Sequence, residues 1–245
     1  MLGKSRAGQA FNKTPNRAYF PYEDGAGYSA AMDSPTSAVL RIDRLCLRWP
    51  DGATQFADLA LAVGPGVTLL HGDSGSGKTT LLRIVAGDLA ADGRIALRGR
   101  TREDDRAAWS RDIGVLDADD EHLDALTPDG VMAAVRERHG ALDETAWRRH
   151  VEAFGLQPHL AKAMFQLSTG SRRKVVLAAL LAARCPLTLL DEPGAGLDAA
   201  SLRHLRLALA EANADPVRAV LVVATFGLDG LDCNATVTLP AQESA

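Results

Sequence analysis

Residues 72–79 read Gly-Asp-Ser-Gly-Ser-Gly-Lys-Thr, which satisfies G-x-x-x-x-G-K-[ST] at every fixed position. No other stretch restricts the fold so tightly. The glycines let successive backbone N–H groups turn inward around a phosphate chain. Lys78 supplies a point charge for the β- and γ-phosphates, and the Thr79 hydroxyl is suited to Mg²⁺. The motif works only between a strand and a helix, and the flanks agree. Val67 to Leu70 is a short apolar run of buried-strand type, and Leu81, Leu82, Ile84 and Val85 follow at helical spacing. A helix N-terminus aimed at the loop favours an anion there. Gly72, Asp73, Ser74, Gly75, Ser76, Gly77, Lys78, Thr79 and Thr80 are therefore the candidate nucleotide-binding residues.

A second set of motifs specifies the kind of nucleotide protein. Leu167-Ser168-Thr169-Gly170-Ser171 precedes Arg172, Arg173, Lys174 and an apolar helix over Val175 to Ala183. Leu187-Thr188-Leu189-Leu190-Asp191-Glu192-Pro193 follows, then Leu197-Asp198. The order resembles the ATP-binding cassette (ABC) superfamily: a phosphate loop, an L-S-G-G-Q-like signature, an apolar strand ending in Asp-Glu, and an A-L-D-like loop. The resemblance covers about residues 38–239 and is carried by the whole set in this order. It implies an α/β fold: a P-loop NTPase core of RecA-like type, a small antiparallel β subdomain and a helical subdomain at about 119–166. It also implies ATP and Mg²⁺ as ligands, a membrane permease as a separate partner chain, and a homodimer or a heterodimer with another ABC subunit.

Composition is compatible with this and narrows the alternatives. At 245 residues, 47 % of them hydrophobic, the chain can bury one large core with a subdomain. Its net charge of −4 gives no whole-chain basic footprint, so nucleic acid is not expected as a partner. Cys46, Cys185 and Cys233 have no metal-ligand spacing and suit a reducing cytosol. The longest apolar candidate, Val175 to Leu190, is broken by Arg184 and Pro186 and is too short to span a bilayer. A protein of this kind working at a membrane would be peripheral to its inner face, held there by the permease. Residues 1–37 mix Gly, Ser, Pro and isolated aromatics without period or an apolar signal-peptide core, which reads as a disordered tail, with Met32 as a second candidate start.

The remainder reads as alternating elements. Leu40 and Ile42 alternate, then Leu45, Leu47 and Trp49 alternate out of phase, which predicts a strand with a bulge. Pro50-Asp51-Gly52 predicts a turn, Phe56 to Val63 a second strand, Asp92-Gly93 another turn, and Arg94 to Arg98 a third strand. Thr127-Pro128-Asp129 and Asp143-Glu144 open two helices whose apolar positions are Val131 and Val135, then Trp147, Val151 and Phe154. Asp198 caps a helix with Leu202, Leu205 and Leu209 on one face, and Ala219 to Ala224 is a further buried strand.

Each motif carries a distinct task. Asp191 ends an apolar strand and, with Thr79, is a candidate Mg²⁺ holder. Glu192, one residue on and facing the other side of an extended chain, is the candidate catalytic carboxylate; in the resembled family it polarises the attacking water. Trp49 stands where the family places an aromatic that stacks on adenine, although a strand-end Trp is the alternative. Ser168, Thr169, Gly170 and Ser171 precede a helix and form a second anion site, which in the family caps the ATP held by the opposite subunit of a head-to-tail dimer. Thr169 and Ser171 replace the usual Gly and Gln. Arg172, Arg173 and Lys174 oppose the helix dipole and read as a solvated basic turn, or one compensated by phosphate or an acidic surface. Asp198 matches the family's subunit-crossing dimer-loop Asp as well as an N-cap.

Two family residues are missing. The stretch Ile113 to Ala118 usually ends in Gln, and only Asp117 or Asp119 could approach the metal instead. The strand ending at Thr225 usually leads to His, where this chain has Phe226. The resemblance thus predicts a transporter's ATP-binding subunit with weakened or partner-dependent hydrolysis. A degenerate module that binds ATP as a regulatory or assembly switch is the alternative. A soluble ABC protein acting on ribosomes or DNA fits least, because such proteins usually carry two linked cassettes or long insertions.

Overall fold

The computed structural model describes residues 38–140, 142–224, 228 and 230–240. The expected tail and Phe226 lie outside the described residues. In chain order the strands and helices are β1 (Leu40–Arg48), β2 (Thr54–Val63), β3 (Gly66–His71), α1 (Lys78–Ala86), β4 (Asp92–Leu97), β5 (Arg100–Thr101), α2 (Arg106–Asp112), β6 (Ile113–Gly114), α3 (Pro128–His139), α4 (Glu144–Ala153), α5 (Thr169–Ala183), β7 (Leu187–Asp191), α6 (Ala199–Asn213), β8 (Ala219–Val223) and β9 (Ala235–Thr238).

Two sheets organise them: an antiparallel one ordered β2-β1-β4-β5 and a parallel one ordered β6-β7-β8-β3-β9. The inner parallel strands β7, β8 and β3 are largely apolar because both faces are covered, whereas the edge strand β9 alternates half-buried and exposed residues. In β8, Val220 and Val222 face the core that contains α5 and α6, while Ala219, Leu221 and Val223 face α1 and the antiparallel sheet. Leu190 and Val67 share the first face, and Leu187, Leu189 and Leu70 the second. Period-two alternation is therefore present but hidden, since neither face is polar.

The bulge predicted in β1 lies between Ile42 and Leu45, where the pairing with β2 shifts register and Arg44 takes a positive φ of 52°. It keeps Leu40, Ile42 and Leu45 buried together. The turn expected at Asp92-Gly93 is not there: both residues belong to β4. Gly93 has φ 120°, and a Cβ on it would sit 2.5 Å from the Arg44 carbonyl oxygen. The glycine permits β4 to cross the β1 bulge at close range, a strand use of glycine rather than a turn use.

Thr127 caps α3 by accepting from Gly130 N, and Asp143 caps α4 by accepting from Ala146 N. The Trp147 indole donates to Asp129 at 3.3 Å, tying α4 to α3. Both helices pack on α5 through Val131, Val135, Trp147 and Val151. All residues from Val175 to Ala183 are buried, so α5 is the central post of this half. It stops at Arg184, which adopts a left-handed conformation, φ 51°. Leu202, expected on the buried face of α6, is only half-buried; that face is formed by Ser201, Leu205, Ala208, Leu209 and Ala212. No helix among the described residues is long and apolar enough to cross a membrane.

Candidate functional site

The parallel strands β3 and β7 end at one edge of the sheet, and the motifs leave from there. Strand ends of an open α/β sheet are where such folds build their ligand sites. The loop between β3 and α1 turns at Gly77, the N-cap of α1, with φ 93° and no side-chain cap. The first-turn N–H groups of α1 thus face the loop rather than a capping side chain. A Cβ at Gly77 would lie 2.6 Å from Gln55 Nε2 and 2.8 Å from the Phe56 ring, so only glycine fits between this loop and β2. Above Gly75 there is nothing within 4 Å of where a Cβ would stand.

Lys78 Nζ donates to the carbonyls of Gly72 at 2.7 Å and Asp73 at 2.8 Å, folding the ammonium back along its own loop. The Ser76 hydroxyl is buried and has no hydrogen-bond partner among the described residues. Uncapped N–H groups, an ammonium, an orphaned hydroxyl and open space over Gly75 are the donor set a polyphosphate requires. Asp73, Ser74, Gly75 and Thr79 are exposed, with Gly72 and Thr80 half-buried beside them.

Tertiary folding joins this loop to β7. Thr79 Oγ1 donates to Asp191 Oδ2 at 2.7 Å. A hydroxyl and a carboxylate in contact form an all-oxygen pair suited to Mg²⁺. Glu192 departs from the extended conformation expected of it: its φ is 45°, and its N–H donates to the Val223 carbonyl at 2.8 Å. Left-handed backbone at a non-glycine residue costs of order 1–3 kcal/mol and tends to occur at functional turns. Here it bends the chain away from the sheet immediately after Asp191.

Trp49 follows β1, half-buried, and its indole N–H donates to Gln55 Oε1 at 3.2 Å. Gln55 in turn donates to the Gly75 carbonyl at 3.4 Å. Gln55 therefore bridges the aromatic and the phosphate loop. Nothing local to Gln55 marks it out along the chain, since its role arises from the turn that returns β2 alongside β1.

Ser168 is the N-cap of α5: its hydroxyl accepts from Ser171 N at 3.2 Å and meets the Ser171 hydroxyl at 3.0 Å. Ser168 and Thr169 are exposed. Gly170 packs against the 195–198 loop, where its Cβ position lies 3.2 Å from the Gly196 carbonyl oxygen. Asp198 caps α6, accepting from Ser201 N at 2.8 Å, and pairs with Lys174 at 2.5 Å. The Lys174 ammonium, with the Ser201 N–H, holds the Asp198 carboxyl well below the usual carboxylate range. The expected solvated basic turn is thus corrected. Arg172 pairs with Asp124 at 2.6 Å, Arg173 donates to the Ala195 carbonyl at 2.5 Å, and Lys174 holds Asp198. Acceptors from two other segments, 118–124 and 195–198, offset the unfavourable helix-dipole position.

Ala118, at the place of the missing Gln, is buried and has no polar side chain to offer. Asp117 accepts from its own neighbour, Asp119 N, at 2.9 Å. It is occupied in a local turn.

A second polar region lies at the opposite edge of the parallel sheet, where Arg218 precedes β8 and donates to Thr188 of β7. Its cavity of about 100 Å³ is lined by guanidinium and carboxylate groups that largely pair with each other, Arg149 with Glu211 and Arg184 with Asp215. His150 lines it too, and His150 Nδ1 lies 2.8 Å from His204 Nε2, joining α4 to α6. Burial and the neighbouring His204 push His150 down to about 4.

Comparison with known proteins places this architecture. The ABC transporter family model matches residues 56–195. The chain is 32 % identical over 204 residues to a phosphonates import ATP-binding protein, PhnC, of Burkholderia pseudomallei, covering 75 % of this chain and 66 % of that one. It is 36 % identical over 204 residues to the cytochrome c biogenesis ATP-binding export protein CcmA of Paramagnetospirillum magneticum, covering 81 % and 88 %. Among solved structures it superposes on an ATP-binding subunit of an ABC transporter with a TM-score of 0.70 at 22 % identity, covering 82 % of this chain and 85 % of that one. A Clostridium perfringens subunit of the ABC transporter complex cbiONQ gives 0.60 at 22 %, covering 77 % and 78 %. The two structures support the fold, and the family match and relatives go further. With its phosphate loop, Asp191 strand end and signature turn in one P-loop α/β fold, the chain belongs to the ABC transporter family as an ATP-binding subunit.

Proposed function

We propose that this protein binds Mg·ATP at the 72–80 loop and powers a separate membrane permease from the inner face of the membrane, as one half of a head-to-tail dimer. The observation that carries the reading is the meeting of Lys78, Thr79 and Asp191 at one sheet edge, with Glu192 turned out of the strand beside them. Lys78 releases its loop carbonyls and takes the β- and γ-phosphates, while the α1 N-terminus supplies N–H donors. Trp49 stacks on the base, held at its indole nitrogen by Gln55. Thr79 and Asp191 would hold Mg²⁺, which when bound neutralises charge on the phosphates. Glu192 orients and polarises the attacking water. Ser168, Thr169, Gly170 and Ser171 face the partner subunit's nucleotide across the dimer, and Asp198 lies beside them on the same surface.

Turnover by the isolated chain is proposed to be slow. Ala118 and Phe226 replace the Gln and His that meet the γ-phosphate end in the family. A preorganised donor lost from a transition state costs about 2.7–4 kcal/mol, or roughly a hundred- to a thousand-fold in rate. The same two replacements favour the second reading, an ATP-binding module that switches assembly with little hydrolysis. The relatives include both an import and an export protein, so direction and cargo are assigned to the permease.

The test is Mg·ATP turnover by the purified protein beside Glu192→Gln, with a binding titration of both. Hydrolysis by wild type and an ATP-trapped Glu192→Gln dimer support the transport ATPase. Tight binding without turnover in either supports the switch. Absence of nucleotide binding overturns both.

A further inference from the structure

Arg172 sits in the first turn of α5, immediately after Ser171, and its side chain is only 12 % exposed. It makes two directed bonds to a segment about fifty residues earlier. Nε donates to the Ala118 carbonyl at 2.9 Å, and Nη1 pairs with Asp124 Oδ1 at 2.6 Å. Ala118 ends the stretch that leaves β6, and β6 pairs with β7 through Ile113–Leu187 and Gly114–Thr188. The stretch 115–118 therefore spans from the sheet beside the Asp191 strand to the guanidinium at the signature turn. Asp124 is bonded further into the same half of the molecule: its carbonyl accepts from Phe165 N at 3.1 Å, and the Leu126 carbonyl accepts from Met164 N at 2.8 Å.

The chemistry suits a fixed joint. A planar guanidinium presents donors in a set geometry, and a half-buried charge-assisted pair holds that geometry better than an exposed one. A lysine would keep the charge but could not satisfy a carbonyl and a carboxylate with the same fork. One acceptor is a backbone carbonyl, so the joint does not need a Gln side chain at 118.

We infer that Arg172 is a positioning residue that joins the stretch after β6 to the Ser168–Ser171 turn, so that both surfaces are presented to the dimer's nucleotides as one body. The inference rests on the ATP-sandwich reading above. Loss of Arg172 leaves the 72–80 loop untouched and uncouples the signature turn from the 115–124 stretch. Binding of nucleotide by a single subunit should survive, and ATP-driven dimerisation should not.

The experiment uses the full chain carrying Glu192→Gln. Binding of fluorescent mant-ATP is titrated, and ATP-driven dimerisation is followed by sedimentation velocity, for the parent and for added Arg172→Met, Arg172→Lys and Asp124→Asn. The expected result is mant-ATP affinity within about twofold throughout, with the ATP concentration at half-dimerisation raised about tenfold by Arg172→Met and by less, about threefold, in the two conservative variants. Dimerisation at the parent's ATP concentration by Arg172→Met overturns the inference. Should that variant not fold, unshifted dimerisation by both Arg172→Lys and Asp124→Asn overturns it instead. A parent that binds mant-ATP but stays monomeric at saturating ATP also overturns it, while leaving ATP binding intact. A parent that binds no mant-ATP removes the underlying functional reading and the inference together.

Discussion

The Thr79 hydroxyl donates a 2.7 Å hydrogen bond to the Asp191 carboxylate across 112 residues of sequence. Strand pairing creates this contact. β3 and β7 both flank β8 in parallel, so their C-terminal ends reach the same edge. Thr79→Val keeps the shape and removes the hydroxyl; Asp191→Asn removes the charge. Each is expected to weaken mant-ATP binding about tenfold with Mg²⁺ present and much less in EDTA. Titrations with and without the metal check this, and equal losses in both buffers would count against a metal role.

Gly93→Ala is expected to destabilise the protein by about 2 kcal/mol or more, because φ 120° is unfavourable for alanine and the new Cβ meets the Arg44 carbonyl at 2.5 Å. Gly99→Ala, with φ 80° but open space, is expected to cost less. Urea unfolding of the two variants separates conformational strain from steric conflict.

Asp198→Ala removes the cap of α6 and is expected to cost about 1 kcal/mol, with Asp198→Asn retaining most of it. Lys174→Met leaves the Ser201 N–H bond to Asp198 in place. It should therefore cost less stability than Asp198→Ala, while letting the Asp198 carboxyl return toward its usual range. Chemical denaturation gives the first comparison and side-chain carboxyl NMR the second.

Acid is expected to loosen the α4–α6 joint. His150 is 2 % exposed, hydrogen-bonded to His204, and faces Arg149, Arg218 and Asp143. Its folded pKa of about 4 lies below the ordinary 6.5, so the unfolded chain binds the proton more readily between those values. Its contribution is complete above about pH 6.5 and declines as pH falls toward 4, by at most about 3 kcal/mol. His204 is also held below its ordinary value, by burial first and then Arg149. Melting temperature against pH checks this: His150→Gln should flatten the slope between pH 6.5 and 4, and an unchanged slope would exclude the pair as its source.

The sequence by itself determined the longer elements that frame the candidate site, while α2, β5, β6 and β9 were not among those it predicted. The phosphate loop could only sit between a strand and a helix, and the apolar runs at 67–70, 187–190 and 219–224 could only be strands covered on both faces. Thr127, Asp143 and Asp198 were legible as helix starts because capping depends on residues two or three positions away, whereas Ser168 reads along the chain as part of an anion site and the fold makes it the N-cap of α5. What the sequence left undecided depends on contacts between distant segments. Asp92-Gly93 carries local turn chemistry, yet the crossing over the β1 bulge makes it strand. Arg172, Arg173 and Lys174 look solvated in isolation, and only packing of α5 against the 118–124 and 195–198 segments supplies their acceptors. Gln55 becomes a bridge only when β2 returns beside Trp49 and the loop. Local rules act over a few residues and can be read along the chain, whereas the partners of a charge or the clearance of a glycine are set by which surfaces the core brings together.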